Sequence, residues 1–177
     1  MKTFINVLLV AGLIVFVACG GGEKAPKKEQ KNQTAKTGQA ASSGLTEFQL
    51  QNGIGPITSK LQIGEIDPAK VKAGEATYKA KCTPCHRLDK RLVGPALRYV
   101  TLRRSPEYIM NMVLNPTGMV KEHPEAKKVL AEYLSPMTDM HLTVDQAREL
   151  VDYLRNAAKE GKEKNIPEVP LFKSQQQ

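Results

Sequence analysis

Two cysteines and a histidine stand at a spacing that suits the attachment of a metal-bearing ring. The sequence CTPCH occupies residues 82–86, so Cys82 and Cys85 lie three residues apart and His86 follows at once. This pattern is the attachment signature of a c-type haem. The two thiols would form thioether bonds to the porphyrin vinyl groups, and the imidazole of His86 would reach the iron. The sequence therefore predicts one covalently bound haem c with its iron.

Two other uses of a Cys-x-x-Cys pair suit this chain less well. A dithiol redox centre belongs in a βαβ context, whereas the residues before Cys82 follow a helical pattern. A structural zinc site needs a second pair of ligands, and the chain has only one further cysteine, Cys19.

Haem iron has two axial positions and His86 would fill one of them, which leaves a place for a sixth ligand. The side chains that could supply it each carry a thioether sulfur or an imidazole. They are Met137, Met140, Met119, His123 and His141. We expect Met119 to contact the haem wall instead, and the two histidines to lie at the surface or at a helix cap.

Local signals predict four helices that would position these residues. Asp67 followed by Pro68 predicts a helix over residues 68–81, because aspartate caps free N–H groups and proline suits the first helical position. Similar signals predict helices over residues 106–114 and from Pro124. A capping box predicts a last helix from Thr143 to residue 160, with Gly161 ending it. No stretch alternates convincingly between apolar and polar residues, so we predict an all-α fold.

The N-terminus has the pattern of an export signal, which we assign to residues 1–18. Its apolar run, residues 4–18, is too short for a bilayer, which takes about 20 residues. The run ends in Val-Ala-Cys-Gly, which resembles a bacterial lipobox and predicts lipidation of Cys19, although Phe16 departs from the usual leucine. The alternative is an ordinary signal peptide with a buried or paired Cys19.

Composition divides the rest of the chain into four segments. Residues 19–44 are rich in glycine, lysine, glutamine and serine and offer no core, so we predict a flexible tether. Residues 45–66 carry scattered apolar side chains and turn residues, which predicts an extended arm packed on the domain. Residues 67–165 would form the haem-binding domain, and residues 166–177 a C-terminal tail.

The chain resembles the class I cytochromes c over about residues 67–158. The matching motifs are CTPCH at residues 82–86, VGPAL at residues 93–97 and PMTDMHLT at residues 136–143. The resemblance implies a small all-α domain wrapped around one covalently bound haem. It also implies that the protein is a one-electron carrier and not an enzyme.

The same resemblance implies roles for individual residues. The carbonyl of Pro95 would accept a hydrogen bond from His86 and so fix the orientation of the imidazole. Met137 would be the sixth ligand, with Met140 as the second choice. Gly74 would lie where the first helix crosses the last.

More narrowly, the chain is similar to tethered cytochromes found with bacterial nitrous-oxide reductase systems. The residues that suggest this are GIGP at 53–56, VGPAL at 93–97, RRSPE at 103–107 and the stretch 111–119. This likeness implies a nitrous-oxide reductase system as a partner. With the export signal and the lipobox, we expect a carrier on the periplasmic side of a bacterial membrane, feeding a periplasmic or membrane-bound reductase or oxidase. The alternatives are a haem enzyme or gas-sensor subunit with an open axial position, and a haem-binding structural subunit.

The distribution of charge suggests what kind of partner would dock. The chain has 26 basic and 18 acidic residues, and residues 79–104 contain eight basic residues against Asp89 alone. A basic rim near the haem would favour redox donors and acceptors with an acidic docking face. The alternative is a solvated surface that balances the haem propionates. Nucleic acid is not expected as a partner, because an exported protein does not meet the genome.

Overall fold

A computed structural model describes residues 44–175, and every regular element within that range is helical. The all-α prediction is therefore confirmed. None of these helices combines the length and the apolar composition needed to cross a membrane. The predicted signal peptide, Cys19 and the tether up to residue 43 lie outside the described residues. The α-helices are α1 (Glu47–Asn52), α2 (Pro68–Thr77), α3 (Val100–Arg103), α4 (Pro106–Leu114), α5 (Pro116–Glu122), α6 (Pro124–Tyr133) and α7 (Val144–Glu163).

The first predicted helix starts as expected but ends differently. The carboxylate of Asp67 accepts a hydrogen bond from the N–H of Ala69 at 2.8 Å, and Pro68 opens α2. At Tyr78 the α-helix gives way to a π-helical turn, Tyr78–Cys82, in which Thr83 N–H donates to Tyr78 O at 3.1 Å. The predicted continuous α-helix to residue 81 is thus wrong in its last turn. The wider turn buries both Tyr78 and Cys82.

The crossing of α2 and α7 forms the centre of the domain. A Cβ atom on Gly74 would lie 2.1 Å from the backbone oxygen of Glu149, so only glycine lets the two helices approach this closely. One turn further along, the rings of Tyr78 and Tyr153 pack with centroids 5.2 Å apart. Around this crossing lies a core that includes the buried Leu150 and Leu154.

The last helix is longer than predicted. Thr143 and Gln146 form the expected capping box, but α7 continues to Glu163. Gly161 therefore lies inside the helix and not beyond its end. Its role is close packing, because a Cβ there would lie 2.6 Å from the hydroxyl oxygen of Tyr99. The left-handed residue that follows the helix is Asn165, with φ of 51°.

The arm, residues 45–66, contains a helix that the sequence interpretation missed. Thr46 and Gln49 form a capping box for α1, and the rest of the arm up to α2 is irregular. The buried side chain of Asn111 holds it in place. Its amide nitrogen donates to Asn52 O and Ile57 O, and its oxygen accepts from Ile57 N–H, all at 2.9 Å.

Two further short helices were not predicted. One of them, α5, begins at Pro116, and the side chain of Asn115 caps it by accepting from Gly118 N–H at 3.2 Å. Helix α3 precedes Ser105, which caps α4, and has no side-chain cap of its own.

Candidate haem site

The CTPCH motif folds as a tight turn directly after the π-helical turn. The N–H groups of Cys85 and His86 both donate to Cys82 O, at 3.1 and 2.9 Å. Both cysteines are unpaired; Cys82 is buried and Cys85 is exposed. Burial, with a smaller contribution from Cys85, raises the pKa of the Cys82 thiol to about 11, so it is neutral at pH 7. One thiol thus faces the interior and one the surface, three residues apart.

The loop after the motif, residues 87–97, brings a carbonyl to the imidazole of His86. Gly94 N–H donates to Cys85 O at 2.9 Å, and Leu97 N–H donates to Arg87 O at 3.0 Å, which closes the loop. Nδ1 of His86 then lies 2.9 Å from Pro95 O. A carbonyl only accepts hydrogen bonds, so Nδ1 carries the proton and Nε2 keeps its lone pair. Burial lowers the pKa of His86 and favours this neutral form, which can bind a metal.

Gly94 leaves the space that the imidazole occupies. A Cβ at this position would lie 2.3 Å from Cε1 of His86 and 3.0 Å from Nε2. The ring is therefore held between the Pro95 carbonyl and the bare backbone of Gly94. This cradle limits the freedom of the ring before any metal binds.

A largely apolar cleft, which we call the haem cleft, joins the predicted site residues. The six that concern the chemistry line it together, and they are Cys82, Cys85, His86, Pro95, Met137 and Met140. These residues fit an iron porphyrin. The two thiols can hold the porphyrin, and the imidazole offers an unprotonated nitrogen. Met137 and Met140, whose thioether sulfur atoms can bind iron, line the same cleft.

The two methionines of the loop before α7 differ in their packing. Met137 is half-buried and packs against the core formed around the α2–α7 crossing. Met140 also lines the haem cleft but is not part of that core.

The expected haem-wall contact of Met119 is wrong. This side chain is completely buried away from the haem cleft, where its sulfur accepts a hydrogen bond from Ile54 N–H at 3.0 Å. The arm approaches so closely that a Cβ on Gly53 would lie 2.8 Å from the same sulfur. Met119 therefore fixes the arm.

The two histidines also lie away from the haem cleft. His123 is buried and caps α6: Nδ1 accepts from Glu125 N–H at 3.2 Å and Nε2 donates to Leu50 O at 3.1 Å. His141 is exposed and has φ of 51°. Both nitrogens of His123 are thus engaged by the backbone.

The basic stretch of residues 79–104 is mostly neutralised by neighbouring carboxylates. Three of the eight, Lys81, Arg87 and Lys90, have no carboxylate within 4.0 Å among the described residues, and of these Lys81 lines the haem cleft. The basic rim expected from the sequence is therefore smaller than its residue count suggests. The ion pairs are Lys79–Glu75, Arg91–Glu132, Arg98–Asp89, Arg103–Glu168 and Arg104–Glu125.

Sequence reasoning missed a cluster at one edge of the haem cleft. Arg91 donates to the carboxylate of Glu132 at 2.6 Å and to its backbone oxygen at 2.8 Å. The same guanidinium lies 3.8 Å from the centre of the Tyr133 ring. The partners are 41 residues apart, so no local pattern indicates the pairing.

Comparisons with known proteins agree with this geometry. Residues 71–158 match the family described as Cytochrome c. A solved cytochrome c from Rhodothermus marinus is 48% identical, with a TM-score of 0.60, and the match covers 63% of this chain and 97% of that one. An engineered form of it bound to a carbene intermediate matches at 45% identity and a TM-score of 0.57, over 63% of this chain and 96% of that one.

Two curated relatives match over shorter stretches. Cytochrome c2 of Rhodopseudomonas palustris is 44% identical over 52 residues, which is 29% of this chain and 37% of that protein. Cytochrome c-551 of Stutzerimonas stutzeri is 42% identical over 41 residues, 23% of this chain and 39% of that protein. The chain thus matches less than two fifths of either. By its likeness to the Rhodothermus structure over nearly that whole chain, and by its haem-attachment motif, the protein belongs to the cytochrome c family and its cofactor is covalently bound haem c.

Proposed function

We propose that this protein is a one-electron carrier whose haem iron is held between His86 and Met137. The observation that carries the proposal is the cradle of His86, with Nδ1 engaged by Pro95 O at 2.9 Å and Nε2 left to bind metal, in a cleft that Met137 also lines. When bound, the haem iron supplies an Fe(II)/Fe(III) couple, so a donor protein loses one electron and an acceptor gains it.

The residues around the haem determine how readily that electron is held. A thioether ligand favours the ferrous state more than a second imidazole would. The apolar lining of the haem cleft works in the same direction, because it disfavours the additional charge of ferric iron. We therefore expect a relatively high reduction potential. With Met137 bound, the iron has no open position for substrate, which favours a carrier over an enzyme or gas sensor.

Sequence features support a proposal for the location and the partners. We infer export by residues 1–18, a lipid on Cys19 and tethering of the domain to the periplasmic side of a bacterial membrane. A tether keeps the carrier near partners in the same membrane and raises their effective concentration. The acceptor would be a reductase or oxidase with an acidic docking face. The likeness to cytochromes of nitrous-oxide reductase systems names one class of acceptor to test.

The test is spectroscopy of the full chain produced in a host that attaches c-type haem. We expect a reduced-minus-oxidised spectrum of a single haem c, a one-electron redox titration, and the weak near-infrared band of sulfur-ligated ferric iron. Met137→Ala should abolish that band and lower the potential, because the thioether ligand is lost.

Met140→Ala is the matched control, since Met140 lines the same cleft three residues away. This variant should keep the near-infrared band. A band that survives in Met137→Ala but disappears in Met140→Ala would assign the ligand to Met140 and contradict the proposal. A colourless wild-type protein would contradict the carrier function itself.

A further inference from the structure

The segment after α7, residues 166–175, is held against the domain. The hydroxyl of Tyr99 donates to Ile166 O at 2.6 Å, at the point where the chain leaves the helix. Two residues later, the guanidinium of Arg103 contacts the carboxylate of Glu168 at 2.6 Å. This half of the segment is therefore fixed to α3 and the residue before it. We call residues 166–175 the C-terminal strap.

The far half of the strap is fixed to the end of α6. The hydroxyl of Tyr133 donates to Leu171 O at 2.9 Å. Lys173 N–H donates to the carboxylate of Glu132 at 3.3 Å. The same carboxylate accepts from Arg91, so strap, helix and the loop after the CTPCH motif meet at one cluster.

This cluster lies at the edge of the haem cleft. Tyr133 and Leu171 both line that cleft, together with His86 and Met137. Tyr133 precedes Met137 by four residues, and Arg91 follows His86 by five. The cluster thus connects the segment that follows His86 with the segment that precedes Met137.

We propose that the C-terminal strap is part of the haem site, and that Leu171 keeps water from one edge of the haem and so raises its reduction potential. Water stabilises the more highly charged ferric state, so a side chain that excludes it favours the ferrous state. The contacts at Tyr99, Arg103, Tyr133 and Glu132 hold Leu171 in position. The inference rests on the proposed function, because it concerns the potential of the carrier.

The test compares Leu171→Ser with Phe172→Ser in the full, haem-loaded chain. Phe172 is the neighbouring residue, is also half-buried and does not line the haem cleft. We expect Leu171→Ser to lower the reduction potential and to speed the binding of added imidazole to the ferric protein by about tenfold, since a looser edge opens more often. Phe172→Ser should leave both quantities at the wild-type value. Truncation after Asn165 should change both more than Leu171→Ser does.

Two results would overturn the proposal. One is a wild-type potential and a wild-type imidazole rate in both Leu171→Ser and the truncated chain. The other is an equal shift in Leu171→Ser and Phe172→Ser, which would indicate general loosening. Failure of the carrier function is distinguishable, because it would appear as a missing haem spectrum or a missing near-infrared band in the wild-type protein.

Discussion

At the scale of single residues, the haem site depends on close approaches that leave no room for another atom. Gly94 is the clearest case, because its backbone lies against the imidazole of His86, the proposed iron ligand. The imidazole cannot retreat without stretching its hydrogen bond to Pro95. A side chain at Gly94 therefore acts on the orientation of the metal ligand as well as on stability.

Gly94→Ala should destabilise the haem-loaded protein by about 1–3 kcal/mol, the usual cost of forcing an extra carbon into a packed site. It should also shift the haem spectrum, because the ring of His86 must turn or move. Denaturant titration and visible spectroscopy measure the two effects. Gly64→Ala is the control, since nothing lies within 4 Å of a Cβ there. It should change stability by about 1 kcal/mol at most, in the stabilising direction.

His123 should make stability depend on pH. Burial lowers its pKa in the folded protein, and Arg104 also acts to lower it. The unfolded chain then binds the proton more tightly than the folded one. Stability should be greatest above about pH 6.5, the ordinary value for histidine, and should fall as the pH decreases toward the lowered pKa.

The measurement is the free energy of unfolding at several pH values between about 7 and 5. His123→Asn can still cap α6 but has no titrating ring, so its slope in this range should be shallower than that of the wild type. An unchanged slope in His123→Asn would contradict the assignment.

At the scale of elements, the crossing of α2 and α7 positions the haem site. Helix α2 leads into the CTPCH motif, while the methionine loop leads into α7. The contact at Gly74 fixes these two helices against each other, and the ring pair of Tyr78 and Tyr153 lies beside it. Displacing the crossing would therefore change the distance between the two sides of the haem cleft.

Gly74→Ala should be strongly destabilising, because the added carbon meets backbone that belongs to α7 and cannot rotate away. We expect a loss of about 3 kcal/mol, at the upper end of the range for overpacking. Thermal or denaturant unfolding of the haem-loaded protein measures it. Ala76→Ser, exposed on the same helix, should cost about 0.5 kcal/mol. Equal stability of Gly74→Ala and wild type would show that the helices can separate freely.

The local part of the fold could be predicted from the sequence because helix starts have local signals. Asp67, Ser105 and Thr143 all cap helices where the residue types indicated. The π-helical turn was missed, since it depends on backbone hydrogen bonds, such as that from Thr83 N–H to Tyr78 O, that no residue type signals. Helix α1 was also missed, although Thr46 offered a capping box, because the glycines and proline that follow it favoured an irregular arm.

At the scale of the whole molecule, the site is assembled from parts far apart in the chain. The motif at residues 82–86 could be recognised alone, because its three functional residues are adjacent. The pairing of Arg91 with Glu132 and the contact of Leu171 with the haem cleft could not, since they bring together residues 38 or more positions apart. Such contacts depend on the packing of helices, which composition and periodicity leave undetermined.

The basic side chains of residues 79–104 that have no neighbouring carboxylate in the described part of the chain should influence the rate at which charged partners encounter the protein. We expect oxidation of the reduced protein by the anion hexacyanoferrate(III) to slow as salt rises, because screening shortens the reach of Lys81, which lines the haem cleft, to about 10 Å at 0.1 M. The variant Lys81→Glu should react more slowly than the wild type at low salt and converge with it at high salt. Stopped-flow kinetics measure both.

Lys159→Glu is the charge-matched control, because Lys159 does not line the haem cleft. It should affect the rate much less than Lys81→Glu does. If Lys159→Glu slows the reaction as much as Lys81→Glu does, net charge alone governs the encounter and Lys81 has no special role.

The bonds from Asn111 and His123 to the arm have a mechanical consequence. In chain order, the arm comes between the N-terminal residues and α2, which leads into the haem motif. If a lipid holds the N-terminus, any pull along the chain enters the domain through the arm. The hydrogen bonds at Leu50, Asn52 and Ile57 would bear that load first. The arm would then detach from the domain first under tension, while the haem stays enclosed.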